Sequence, residues 1–306
     1  MNDLVSLVEV SDDDLTTYIS KALDLIDFKI NQKVQSIFIK VNLCYYWNSL
    51  TGYTTDPRLV SSVIDVLREK YGLNNVDIKI AEADATAMRT SHAFKMLNYT
   101  KLAKEKQVEL FNLSKDKKVP RKVRVNGKEI LFEIPKSLLN TDLFINLPKM
   151  KIMSATVITC ALKNIFGCIA SPKKIVYHPT LNEAIVGINK LLKPHLTIVD
   201  GIVALSRYPV KMNLIIAGKN PFSVDCIVSK IMGYNLFQIP HLKIASKEGF
   251  GTPDKIKVVG DDLTKFKKIF PHVNVLRLKL ESKVQLRLLK LYSRITNDTL
   301  PPILET

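Results

Sequence analysis

Apolar and polar positions along this chain fall into short buried runs that alternate with longer amphipathic ones. Residues 36–42 (SIFIKVN) make an apolar run of strand length. Residues 56–70 carry helical periodicity with Pro57 in the first turn, and residues 76–83 make a second strand-like run. The pattern continues with a helix over 91–106 and a short strand over 108–113. Two alternating runs follow within 123–134, separated by Asn126-Gly127, the pair favoured in a type I′ hairpin turn. Residues 142–147 read as a buried strand that Pro148 stops. Helices are expected over 155–166 and 180–192, strands over 196–200 and 212–217, and a helix over 221–232 with Asn220 as its N-cap. A strand over 273–280, a basic amphipathic helix over 282–295 and a Pro301-Pro302 tail follow.

Strands and helices alternating at these lengths predict an α/β fold, a mainly parallel sheet with helices on both faces. To it are added a hairpin insertion and a basic C-terminal strand-helix appendage. The expected division is an α/β domain over 1–263 and an appendage over 264–306. No internal repeat is evident.

Composition narrows the class. With 306 residues, 46% hydrophobic and 24% charged, the chain has the material for a large core and is not a disordered polymer. Residues 1–10 lack the basic and apolar regions of a signal peptide, and no apolar stretch approaches the ~18–20 residues of a membrane-spanning helix, so a cytoplasmic location is expected. Cys44, Cys160, Cys168 and Cys226 are widely spaced and form no CxxC pair. They read mostly as small core residues rather than as zinc or iron–sulfur ligands.

The formal charge of +16 directs attention to anionic partners. Residues 101–124 and 265–306 each hold nine basic and three acidic residues and read as surface. Residues 143–182 differ: five lysines and His178 stand in apolar company with no Asp or Glu. Lysines without carboxylates in such a setting point to an anion site.

In open α/β sheets, ligands bind beyond the carboxyl ends of the strands. Four predicted strands end on polar residues: Lys40-Val41-Asn42, Glu82-Ala83-Asp84, Asn146 through Lys151, and Asp200-Gly201. If these strands are parallel neighbours, the four sets share one rim. Each set has an ordinary alternative, as a strand cap, a solvated acid pair or a plain turn. Lys163, on a helix with Ala161, Leu162, Ile165 and Phe166, either snorkels at a helix end capped by Gly167 or serves as a nucleophile or base with a lowered pKa. Tyr45, Tyr46 and Trp47 either wall a small-molecule pocket or pack a loop.

In order along the chain, Ile39-Lys40-Val41-Asn42-Leu43, Thr54-Thr55-Asp56-Pro57, Leu147-Pro148-Lys149-Met150-Lys151, Ala161 through Gly167, Lys174 with His178, Val199-Asp200-Gly201 and the region up to Asp225 resemble the domain-of-unknown-function family 362. The resemblance spans about residues 36–260. Many members of that family carry an appended two-cluster ferredoxin domain, which implies redox chemistry nearby. This chain has no cysteine array, so an iron–sulfur partner would be a separate protein. Met153 stands where members commonly have a histidine two residues after Lys151, which puts any chemistry of that histidine in doubt. A more distant similarity, in Thr55-Asp56-Pro57 opening a helix before a strand, is to the lactate racemase family that uses a nickel-pincer nucleotide. It implies a hydride-handling racemase or epimerase, for which His92, His178, His195, His241 and His272 form no set.

Two functional classes follow. In the first, an enzyme or cofactor-handling protein binds an anionic small molecule, a carboxylate or phosphate, through Lys40, Asn42, Thr55, Lys149, Lys151, Asn164, Lys174 and His178. Lys163, Glu82 and Asp84 are then the catalytic candidates, and Asp200 and Asp225 the candidate metal ligands. No cofactor is named by the sequence. In the second, the basic C-terminal helix and residues 101–124 bind nucleic acid or an anionic membrane surface. Nucleic acid is disfavoured because these stretches lack interleaved stacking aromatics.

Overall fold

The computed structural model describes residues 3–30, 33–86 and 88–296. The Pro301-Pro302 tail lies outside them. In chain order the elements begin with β1 (Asp3–Glu9), α1 (Leu15–Leu25), β2 (Ser36–Lys40), α2 (Pro57–Glu69) and β3 (Asp77–Glu82). Next come α3 (Thr90–Met96), α4 (Tyr99–Lys106), β4 (Glu109–Asn112), the hairpin β5 (Lys118–Val125) and β6 (Lys128–Pro135), and α5 (Lys136–Leu139). The middle of the chain holds β7 (Leu143–Asn146), β8 (Lys149–Met153), β9 (Val157–Thr159), α6 (Ala161–Phe166) and α7 (Leu181–Leu191). The last third holds β10 (Leu196–Leu205), β11 (Pro209–Gly218), α8 (Pro221–Ile231), α9 (Pro240–Lys247), β12 (Ile256–Gly260), α10 (Leu263–Ile269) and α11 (Val275–Thr296).

The main sheet runs β12-β1-β11-β10-β7-β2-β3-β4, with β8 continuing the rim of β10 and β9 paired to β8. Strand β11 is antiparallel to both neighbours, and β9 is antiparallel to β8. All the other pairs in this sheet are parallel. Alternation along the strands gives the sheet two buried faces. Ile37, Ile39, Ile78, Ile80 and Ile145 pack with α1, α2 and α4 on one side. Phe38, Phe144 and Val199 pack with α6, α7 and α8 on the other. This is the α/β architecture that the pattern predicts. Phe266 and Phe270 at the end of α10, and Leu278 of α11, enter the second core.

Local chemistry explains the well-read elements. The Asp56 carboxylate accepts from Arg58 N at 2.9 Å and Pro57 occupies the first helical position, so α2 starts where its sequence says. Asn220 caps α8 through Phe222 N at 3.0 Å. Asn126 and Gly127 take φ of 48° and 79°, the left-handed pair of a type I′ turn.

Four expectations change. The helix over 91–106 is two helices, broken at Asn98 with φ 64°. The segment after Pro148 is not the approach to a helix starting at 155. It crosses to pair with β10 as β8 and turns back as β9, and α6 begins only at Ala161. Strand β10 runs through Asp200-Gly201 to Leu205 instead of turning there. A Cβ on Gly201 would lie 2.7 Å from the Leu214 carbonyl oxygen, so the glycine permits close strand approach. Residues 273–280 form no strand, and α11 begins at Val275.

Candidate functional site

Strands β3, β2, β7 and β10 are parallel neighbours in that order, so Glu82, Lys40 and Asn146 reach one rim, where β8 sets Lys149 beside Asp200 of β10. Lys40 Nζ lies 2.7 Å from Glu82 Oε1, with both side chains almost fully buried. The Glu82 carboxylate also accepts from Leu43 N and Ala83 N, each at 2.9 Å. These three donors hold it as an acceptor and an orienting group.

A chain of amides crosses the rim. Asn164 of α6 accepts from Asn42 Nδ2 at 2.9 Å and donates to Asn146 Oδ1 at 2.8 Å. Asn42 Oδ1 in turn accepts from Lys151 Nζ at 2.6 Å, and Lys151 also donates to the Tyr53 carbonyl at 2.8 Å. Thr55 Oγ1 accepts from Asn42 N at 2.9 Å and donates to the Leu147 carbonyl at 2.8 Å, fixing the loop after β2 to the end of β7. Buried amides locked this way make a rigid floor.

The remaining candidates sit around that floor. Lys149 and Asp200 form a fully buried pair at 2.9 Å, and Asp200 also accepts from Asp56 N and Ile202 N. Asp225 accepts from Ala161 N at 2.7 Å and Leu162 N at 2.9 Å, so it holds the start of α6, and burial raises its pKa to about 7. Among the described residues no group of three or more His, Cys, Asp or Glu is placed to hold a metal ion. Asp84 accepts from Thr90 N at 2.8 Å and Asn112 Nδ2 at 3.1 Å, while its backbone carbonyl takes a 2.6 Å hydrogen bond from Lys174 Nζ. The histidines stay dispersed: His195 Nδ1 accepts from Phe144 N, His272 stacks near Tyr234, and His241 is fully buried in α9. Cys160, Cys168 and Cys226 are buried and Cys44 is half-buried.

Lys163 is the distinctive group. It is half-buried, its Nζ stands 4.2 Å from the Phe166 ring centroid, and among the described residues it has no carboxylate at ion-pair distance. Burial, then the charges of Lys151 and Lys174, brings its pKa down to about 7. Burial brings Lys174 to about 8, with Lys40 adding to the shift and Glu82 opposing it. Lys151 is lowered for the same first reason, with Lys149 and Lys40 contributing. His178, desolvated and next to the Lys163 charge, falls to about 4 and is neutral near pH 7.

Gly167 is not the left-handed helix cap its position suggests, since its φ is −61°. Its role is room: a Cβ there would lie 2.9 Å from both Lys40 Nζ and the Asn164 carbonyl oxygen. Gly167→Ala therefore displaces the Lys40 ammonium from Glu82, and the expected cost is about 1–3 kcal/mol in urea unfolding. Unchanged stability would mean that Lys40 has slack.

Asn146, the central partner of Asn164, stood in the strand-end polar set; Phe166, the ring under Lys163, and the half-buried Cys44 escaped the sequence reading as site residues. Cys44 continues a spacing of two from Lys40 and Asn42, the one signal available for it. The aromatic loop borders the same region, with Trp47 6.0 Å from Tyr53 and Tyr46 OH accepting from Arg89 N.

Comparison with known proteins shows what this chain is similar to. The thylakoid-associated protein sll1697 of Synechocystis sp. is 28% identical over 131 residues, which are 39% of this chain and 40% of that protein. The lactate racemase apoprotein from Thermoanaerobacterium thermosaccharolyticum superposes with a TM-score of 0.47 at 14% identity, over 75% of this chain and 56% of that one. This chain thus matches less than two thirds of either. The model of the domain of unknown function DUF362 covers residues 37–230, a span that takes in β2, the amide floor, Lys163 and Asp225, and the chain belongs to the DUF362 family.

Proposed function

We propose that the rim of the parallel sheet binds an anionic small molecule, a carboxylate or phosphate, and holds Lys163 beside it as an amine of lowered pKa able to act as base or nucleophile. The observation that carries this reading is the surplus of cations. Lys40 is matched by Glu82 and Lys149 by Asp200, whereas among the described residues Lys151, Lys163 and Lys174 have no carboxylate at ion-pair distance. An anion would offset their mutual repulsion. It would also raise the pKa of Lys163, which couples binding to protonation. Asn42, Asn164 and Thr55 set the geometry, and Glu82 and Asp84 position Lys40 and Lys174. Where the family's redox link extends to this chain, the cluster lies outside the described residues, among which no group of three or more His, Cys, Asp or Glu is placed to hold a metal ion.

Titration calorimetry of the full chain at pH 6 with sulfate, phosphate and malonate tests the reading. Saturable one-to-one binding is expected, weakened about tenfold in Lys163→Met, the loss of one charge-assisted hydrogen bond. Absence of saturable binding, or equal binding in the variant, would overturn it.

The pH dependence has a fixed sign. Sulfate keeps its charge between pH 6 and 9, while Lys163 and Lys174 lose theirs near pH 7 and 8. Sulfate affinity should therefore fall as pH rises through that window. Affinity constant to pH 9 would place the anion elsewhere.

A further inference from the structure

Helix α11 spans 22 residues, ~33 Å at 1.5 Å per residue. Its inner side belongs to the protein: Leu278 is buried, Gln285 hydrogen-bonds to the Ser154 hydroxyl, and Glu281 pairs with Arg207 at 2.8 Å. This side packs against β9 and the 174–180 turn that carries Lys174 and His178. The outer side is apolar and uncovered. Leu276, Leu280, Val284, Leu288, Leu291 and Ile295 are each more than half exposed, with Leu276 at 74% and Ile295 at 76%. At 100° per residue they fall in one arc of ~120°.

Cations lie along the flank of that arc. Lys279, Lys283 and Lys290 occupy the adjoining arc, Arg287 and Arg294 fall on the near edge of the apolar one, and all five are exposed. Glu281, the single acidic residue of the helix, is taken by Arg207 and by Arg277 at 3.2 Å. Phe237, 71% exposed, lines a groove of about 460 Å³ with Leu276 and Lys279 and prolongs the apolar surface past the start of the helix.

We propose that α11 docks this protein on an anionic lipid bilayer, its apolar stripe in the headgroup–acyl boundary and its cationic flank on acidic headgroups. An exposed apolar arc bordered by lysine and arginine is what an interfacial helix needs: acyl contact on one side and phosphate contact beside it. A second copy of the chain fits less well. The apolar spacings are four, four, four, three and four, a drift around the helix unlike the alternating three and four of a coiled-coil seam, and pairing would bring cationic flanks together. Nucleic acid would account for the cations and leave the six apolar side chains in water.

The test uses the full chain and sedimentation with vesicles of phosphatidylcholine alone or mixed equally with phosphatidylglycerol. The wild type should pellet with the mixed vesicles and stay in the supernatant with the neutral ones. Val284→Glu/Leu288→Glu should lower partitioning at least tenfold, and Lys283→Glu/Arg287→Glu should remove the preference for the acidic lipid. Because these side chains are exposed, thermal melts of the variants should match the wild type; Leu280→Gln replaces the double variant should it fail to fold. Three results would overturn the proposal. One is a wild type that ignores acidic vesicles. Another is a concentration-dependent dimer, without vesicle binding, that Val284→Glu/Leu288→Glu dissolves, which would assign the stripe to a second copy. The third is retention on duplex DNA with vesicle partitioning unaffected by the apolar variants.

Discussion

Lys149→Met should lower stability by about 3–5 kcal/mol in urea denaturation, because it strands the Asp200 carboxylate in the core without its counter-charge. The pair lies at 2.9 Å with side chains 1% and 0% exposed. Asp200 keeps its hydrogen bonds from Asp56 N and Ile202 N, which orient the carboxylate and do not neutralise it. The double variant Lys149→Met/Asp200→Asn should recover part of the loss, since the neutral amide needs no counter-charge and its oxygen can still accept from one of the backbone donors. A single variant within about 1 kcal/mol of wild type would mean that water reaches Asp200, and the site would then be wetter than its burial implies.

Lys163→Met should remove the fast imine formation with glyoxylate, a small anionic aldehyde, that the wild type shows at pH 7. With its pKa at about 7, about half of Lys163 is neutral at pH 7. A lysine at the ordinary 10.5 is neutral in roughly one molecule in three thousand. That ratio, on the order of a thousand, outweighs the lower intrinsic nucleophilicity of a less basic amine and decides which lysine reacts. Surface lysines are numerous and keep the slow background. Met at 163 preserves the contact with Phe166 while removing the amine, so the comparison isolates the chemistry from the packing. Equal labelling in the variant would mean that another lysine holds the reactive amine.

The sheet was legible wherever local pattern and burial agree. SIFIK, DIKIAE and LFIN are apolar because β2, β3 and β7 are covered on both faces, and Asp56-Pro57 and Asn220 mark helix starts through their own hydrogen bonds. Elements set by distant partners were not legible. Strand β1 sits between β11 and β12, and β8 leaves the path of β7 to pair with β10 at Asp200 and Leu205, neither of which a local period records. In the segment LRLKL the alternation suits a strand, but the apolar residues continue at 284, 288, 291 and 295, and the longer period sets the helix.

The same division holds for the site. Strand-end polarity pointed to Lys40, Asn42, Lys149 and Lys151, and the run without carboxylates to Lys163 and Lys174, as candidates. What spacing could not supply was the pairing. Asp200 belongs to Lys149 and Asp225 to the start of α6, so the two carboxylates serve separate structural partners. Nor could it show that three lysines would remain without carboxylates around Asn164.

The central claim is that the rim holds a neutral amine inside an anion site, and peptide mapping of glyoxylate adducts on the wild-type chain tests it most directly. The imine, formed from amine and aldehyde with loss of water, is trapped by cyanoborohydride across pH 5.5 to 9, with and without sulfate. Adduct concentrated at Lys163, rising with a midpoint near pH 7 and suppressed by sulfate, is the expected result. Adduct spread over exposed lysines, climbing steadily with pH and indifferent to sulfate, would contradict it.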